Sequence, residues 1–213
     1  INIGPNKNTK DQKNDFCLGL NFFFDIADYI TVNISSPNTQ ALRDFHNSEK
    51  LKELLISLNK IKKDKKTSIP LLLKVSPDID DNCIPEISEV ALKNNISAMI
   101  LTNTTNNNRN SLLSNIKKEE GGLSGEPLRE ISTSIIKKFY KQLNGKIPII
   151  GVGGVNSGKS AYEKIIAGAS LLQLYTGFVY KGPFVVKDIK KELIQILKSE
   201  GIKNIKDVIG KEI

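Results

Sequence analysis

The chain has 213 residues, 39% hydrophobic and 25% charged, an ordinary folded composition long enough for one large core. Lys plus Arg number 31 and Asp plus Glu 23, a formal net charge of +8. The basic residues are scattered without an Arg-rich or aromatic-interleaved stripe, so the excess reads as a solvated surface and no nucleic-acid partner is expected.

Residues 1–4 read as a short apolar strand ending at Gly4-Pro5. The chain starts inside it, at Ile1-Asn2-Ile3-Gly4 without a Met, so we expect a piece of a longer barrel. A helix is predicted over residues 11–24. An apolar run from Tyr29 then leads into Asn33-Ile34-Ser35-Ser36-Pro37-Asn38-Thr39, which crowds uncharged amides and hydroxyls around one proline. That stretch fits either a capped turn or a cradle for a flat polar ligand. Ser48 is a candidate N-cap for a helix carrying Leu51, Leu54, Leu55, Leu58 and Ile61 at helical spacing. The Lys-rich residues 60–66 are expected to be a surface loop that could have lost an insertion.

Residues 71–75 form the next expected strand, apolar on both faces except for Lys74. A helix with Pro85 in its first turn follows, then a strand over 98–101 ending in Thr102-Asn103-Thr104-Thr105. A long polar loop leads to Gly121-Gly122-Leu123-Ser124-Gly125, and Pro127 opens a helix reaching Leu143. Residues 147–152 are a strand ending in Gly153-Gly154, followed by a helix with Tyr162, Ile165 and Ile166. Residues 171–174 are a strand ending in Tyr175-Thr176, and a last helix carries Val185 to Leu197. Strict alternation of about six βα units predicts a parallel sheet covered by helices. Polar or glycine residues stand at every predicted strand end. That favours the rim of a parallel barrel over an open sheet, which would concentrate its ligand at one switch point. The expected class is therefore α/β, a TIM (β/α)8 barrel of which this chain supplies strands 3 to 8.

Four features carry chemistry. Gly153-Gly154-Val155-Asn156-Ser157-Gly158-Lys159-Ser160 matches the nucleotide phosphate-loop pattern and lies between a strand and a helix. The strand after it ends without the Asp that would hold magnesium. An NTPase is thus one alternative and a phosphate-binding barrel loop the other, with Gly125, Gly154, Tyr175 and Thr176 as donors. Lys74 in an apolar strand either reaches past the rim to water or stands as a fixed charge beside a ligand that becomes negative. His46, the single histidine, is expected at the surface. With no Ser–His pairing and no metal-ligand spacing, no metal is expected and a general base must be something other than histidine; a Ser hydroxyl serves if a neighbouring hydroxyl or water chain relays its proton. Ser36, with Thr39 nearby to relay its proton, is the candidate.

Taken together, these motifs resemble the class 2, quinone-linked dihydroorotate dehydrogenases of mitochondrial protist type. The resemblance rests on Asn2-Ile3-Gly4-Pro5-Asn6-Lys7, the Asn33–Thr39 stretch, Leu73-Lys74-Val75-Ser76-Pro77-Asp78, Thr102-Asn103-Thr104-Thr105, Gly121 to Arg129, Ile149 to Val155 and Leu174-Tyr175-Thr176. It implies one FMN-binding barrel domain over residues 1–213, lacking its N-terminal portion. The implied activity is oxidation of dihydroorotate to orotate in pyrimidine synthesis. Ser36 would take the C5 proton, and its being Ser where class 1 enzymes carry Cys places the chain in class 2. Hydride would pass from C6 to flavin N5, and Lys74 would stabilise the reduced ring. FMN would be held by Asn2, Asn33, Lys74, Thr102, Gly125, Gly154, Tyr175 and Thr176. The substrate would be held by Asn33, Asn38, Asn103 and Thr104. The resemblance also implies ubiquinone as acceptor and attachment to the mitochondrial inner membrane through segments upstream of Ile1.

Overall fold

The structure, a computed structural model, describes residues 1–36, 42–107, 109–110 and 112–213. Its strands are β1 (Asn2–Ile3), β2 (Ile30–Asn33), β3 (Leu71–Val75), β4 (Ala98–Leu101), β5 (Ile149–Val152) and β6 (Ala169–Gln173). All neighbouring pairs are parallel and the sheet order follows the chain order, β1 to β6. A doubly wound sheet would reverse direction part-way. This one does not, and it forms six consecutive staves of a (β/α)8 barrel wall, as expected.

Helices α1 (Gln12–Phe23), α2 (Ser48–Asp64), α3 (Cys83–Lys93), α4 (Arg129–Leu143) and α5 (Gly158–Ile166) fill the crossovers, and α6 (Thr176–Lys181) and α7 (Val185–Ser199) follow β6. Alternation along the strands divides the sheet into two faces. Leu71, Leu73, Val75, Met99, Leu101 and Ile149 belong to the main core with the buried faces of α1 to α4. Leu72, Ala98, Ile100 and Ile150 form a smaller cluster on the other face. Asn33 pairs with Lys74, and Lys74 with Ile100. Paired residues of adjacent strands share a face, so both polar side chains emerge on the inner face, level with Ile100 and one step above Leu72.

Several expectations are corrected. The Lys-rich residues 60–66 are not a loop, because α2 continues through Asp64. Lys is a good helix former, Ile61 extends the apolar stripe and the basic residues suit the negative end of the helix. Its cap is Asn47, whose side chain accepts from Lys50 N at 3.1 Å, rather than Ser48. Pro127 sits in a 3₁₀ turn, Glu126–Leu128, and α4 proper starts at Arg129. Strand β6 begins two residues earlier than expected, because a register shift brings Ala169 opposite Ile149 and Leu171 opposite Ile150, and no alternation pattern announces such a bulge. Tyr175 and Thr176 are not a strand end: they open α6.

The helical assignment of the Lys-rich stretch is testable. Lys60 is exposed, so its side chain contributes little. Lys60→Pro should cost about 3 kcal/mol of stability in urea unfolding, whereas a surface loop would tolerate it.

Candidate active site

The inner-face residues at the strand ends converge. The Asn103 side-chain amide donates to Ser35 Oγ at 2.9 Å and to Asn33 Oδ1 at 3.3 Å. Ser35 Oγ donates in turn to Asn33 Oδ1 at 2.8 Å. Asn103 N bonds Val75 O at 3.0 Å, and its Oδ1 accepts from Thr104 N at 2.8 Å. The segments after β2 and β4 are thus tied across the end of β3. Both amide protons of Asn103 are engaged, so a ligand must take over one of these bonds. Ser35 is completely buried. Its neighbour Ser36, the expected base, is half-buried three residues beyond Asn33. Asn38 and Thr39 lie outside the described residues.

A cavity of about 310 Å³ opens beside this network. Its walls bring together Lys74, Thr102, Asn103, Thr104, Gly125, Gly154, Tyr175 and Thr176, contributed by β3 and by the segments after β4, β5 and β6. The Leu101–Thr102 peptide at its edge is cis. Asn2, exposed on β1 and paired with Thr31, is not among the lining residues. Lys74 is half-buried, and burial alone lowers its pKa. It has no ion pair among the described residues. The structure therefore favours a charge facing the cavity over a lysine escaping to bulk water.

The far side of the cavity is built by close approach. A Cβ on Gly154 would fall 2.5 Å from Arg129 Cβ, and one on Gly125 2.9 Å from Thr176 Cγ2. Both glycines also have positive φ. Ser124 and Thr176 hydroxyls meet at 2.8 Å and close the glycine-rich loop onto α6. Arg129 is held by Glu163 at 2.7 Å and Glu126 at 2.9 Å, which raises its pKa.

The phosphate-loop resemblance dissolves at its second half. Ser160 is buried, and its hydroxyl accepts from Asn156 N and Ser157 N in a capping box. Gly158 N donates to the Glu192 carboxylate, and Lys159 is exposed. The donors an NTPase would aim at phosphate are spent on starting α5.

Asp78, to which no motif in the sequence gave a role, is the hub of a second knot. Its carboxylate accepts from Arg43 Nη2 at 2.8 Å, Asn106 N at 3.0 Å and the Thr105 hydroxyl, joining the segments after β2, β3 and β4. His46, expected at the surface, is instead half-buried beside this knot. Among the described residues its Nε2 is buried and without a hydrogen-bond partner. Burial first, then Arg43, lower its pKa to about 4, against a smaller opposing pull from Asp78. Its spacing gave no hint of this, because the packing comes from the 3₁₀ turn Leu42–His46.

The dihydroorotate dehydrogenase family model matches residues 1–197. The chain belongs to the dihydroorotate dehydrogenase family. It is 44% identical over 211 residues to the dihydroorotate dehydrogenase (quinone) of Bartonella tribocorum, which covers 97% of this chain and 59% of that protein. It is 42% identical to the mitochondrial dihydroorotate dehydrogenase (quinone) of Mus musculus, over 99% of this chain and 54% of that one. A crystal structure of DHODH from Eimeria tenella in complex with ferulenol superposes with a TM-score of 0.94 at 36% identity, covering 99% of this chain and 61% of that one. The likeness to the class 2, quinone-linked type and the six-stave barrel are both borne out. The chain spans a little over half the length of the curated dehydrogenases it matches.

His46 makes the rim pH-sensitive. Its folded pKa of about 4 lies below the ordinary 6.5, so between these values the unfolded chain binds more protons. Stability should therefore fall as pH drops from about 6.5 toward 4, by on the order of 3 kcal/mol. Urea unfolding across that range should show His46→Gln with a flatter acid limb.

Proposed function

We propose that the protein oxidises dihydroorotate to orotate with FMN, in pyrimidine synthesis, and that residues 1–213 are the FMN-binding part of its barrel. The observation carrying this reading is the single cavity on which Lys74, Thr102, Asn103, Thr104, Gly125, Gly154, Tyr175 and Thr176 converge, in a chain of this family. The donor set suits FMN. Backbone at Gly125 and Gly154 packs too closely for side chains, against Thr176 and Arg129, as a phosphate seat needs, and a lysine stands where a ring would gain negative charge. Thr102 borders the cavity, and Asn33 and Asn2 continue the same inner face toward β1 as flavin contacts.

FMN, when bound, supplies the acceptor for the C6 hydride. The chain's own residues do the rest. Asn33, Asn103 and Thr104, together with Asn38, hold the planar ring through amide and hydroxyl bonds. A neutral cradle of this kind offers donors and acceptors at once. Ser36 removes the C5 proton, and Thr39 relays it outward. Lys74 holds a positive charge at the ring that becomes electron-rich. The two hydrogens removed, one as proton and one as hydride, account for the new double bond of orotate.

We further propose that the electrons go on to ubiquinone and that the protein works at the mitochondrial inner membrane. The Mus musculus and Arabidopsis thaliana relatives, quinone enzymes named as mitochondrial, support this. Among the described residues no helix is long and apolar enough to cross a membrane, so attachment would use another part of the protein.

The purified protein should be yellow, and its flavin should bleach when dihydroorotate is added without oxygen. Persistent colour would contradict the reading. Ser36→Ala should retain flavin and slow the bleaching at neutral pH by roughly 10²–10⁴-fold, the range of one general base.

A further inference from the structure

Lys164 is the most deeply buried cation of the described chain, with no side-chain exposure at all. It lies on α5, at the back of the cavity wall. Its ammonium donates to Thr133 Oγ1 and Ser132 Oγ at 3.1 Å and to Arg129 O at 3.3 Å. All three acceptors are neutral and all belong to the first five residues of α4. Among the described residues it has no ion-pair partner, since the neighbouring Glu163 carboxylate is taken by Arg129. A buried charge without a counter-ion is costly, and a hydrophobic residue would close the α4–α5 contact more cheaply. The position calls for an anion nearby.

The same stretch of α4 is the surface on which the glycine loop rests. A Cβ on Gly153 would fall 3.0 Å from Ser132 Cβ, and one on Gly154 2.7 Å from Arg129 Cα. Lys164 therefore stands one residue layer behind both glycines. It also reaches them by bonds. The Ser132 hydroxyl that accepts from Lys164 donates to Val152 O, which takes a second bond from Thr102 N at 3.1 Å. Fixing that carbonyl fixes the planar peptide joining Val152 to Gly153, so the Gly153 N–H points the opposite way from the carbonyl.

We propose that Lys164 is a positioning residue and buried counter-charge for a phosphate monoester seated on Gly153 and Gly154. It acts through Ser132 and the Val152 carbonyl, and takes up a proton when the dianion binds. The proposal rests on the flavin mononucleotide reading above.

Burial pushes the Lys164 pKa down to about 7, with Glu163 and Glu126 opposing and Arg129 reinforcing the shift. These are the charged groups that act on it. Of the other elements packed on α5, β6 carries no charged residue, α7 sends Glu192 to Gly158 at the opposite end of the helix, and the C-terminal segment, bonded to Ile165 O and Ile166 O, pairs its Glu212 with Lys137. The sign follows. Above about pH 7 the free protein has largely lost this proton, whereas a bound dianion restores it. Phosphate affinity must then fall as pH rises, since binding requires proton uptake.

The test compares FMN with riboflavin, which lacks the phosphate, on the flavin-stripped full chain at pH 7, 8 and 9. The phosphate is already a dianion throughout this range, and dividing the two affinities removes effects on the ring. In the native protein the FMN-to-riboflavin affinity ratio should fall roughly tenfold from pH 7 to pH 9, the order expected for one poorly screened charge. In Lys164→Met the ratio should be roughly tenfold lower at pH 7 and flat with pH, with riboflavin affinity unchanged. A flat native ratio overturns the proposal without any variant, and so does a Lys164→Met protein that keeps the native ratio and slope. Either result leaves the flavin reading standing. A native protein that binds neither flavin instead removes the flavin reading, and this proposal with it.

Discussion

The bond on which the site depends is the one from the Asn103 amide to Asn33 and Ser35, some seventy residues earlier in the chain. The inner face of the sheet below it is plugged by Leu72, Ile100 and Ile150, which can satisfy no polar group. Every amide and hydroxyl on the layer above must then find a partner within that layer or in a ligand. Asn33, Ser35 and Asn103 satisfy one another, which fixes the ends of β2 and β4. The barrel order makes this possible, because consecutive parallel strands set Asn33 opposite Lys74 and bring Asn103, just past the end of β4, against Val75 O at the end of β3. Lys74 is the exception in that layer. It is a cation among neutral amides, half-buried and without an ion pair among the described residues. An arrangement that satisfies its amides and leaves one charge facing a cavity is suited to a ligand whose charge changes.

The opposite wall follows a different rule. There, glycine lets backbone approach backbone, and the charges are placed behind the surface. Arg129 is locked between two glutamates, and Lys164 is sealed under the start of α4. The amide wall suits a planar ring and the glycine wall a compact anion. One cavity with both is the physical basis for proposing a flavin mononucleotide and a pyrimidine as its ligands.

Much of this was legible in the residues. The alternation of apolar runs with amphipathic segments gave six strands and their order, and polar residues at strand ends marked the rim. What stayed hidden was information that lies in packing. The helix through residues 60–64 looked like a loop because lysines carry no apolar signal. The bulge at Ser170 leaves no trace in alternation. His46 read as exposed because nothing in its neighbours foretells the 3₁₀ turn that tucks it against Arg43. Ser157 to Ser160 illustrates the converse. A short pattern of loop residues matched a nucleotide motif to the letter, yet the same Ser and Gly serve as helix cap and close-packed start of α5. Only the positions of Glu192 and Ser160 distinguish the two. Lys164 was invisible for a similar reason, since a lysine on an amphipathic helix ordinarily faces water.

The central claim is that Lys74 supplies a positive charge to a flavin lying in the cavity beneath the Asn33–Asn103 network. Its most direct test is the reduction potential of the bound flavin in native protein and in Lys74→Met. Removing a charge that favours the electron-rich ring should make the two-electron potential more negative by at least about 30 mV, equivalent to a tenfold change in the reduction equilibrium. An unchanged potential, with flavin still bound, would mean that Lys74 does not face the ring and would contradict the account.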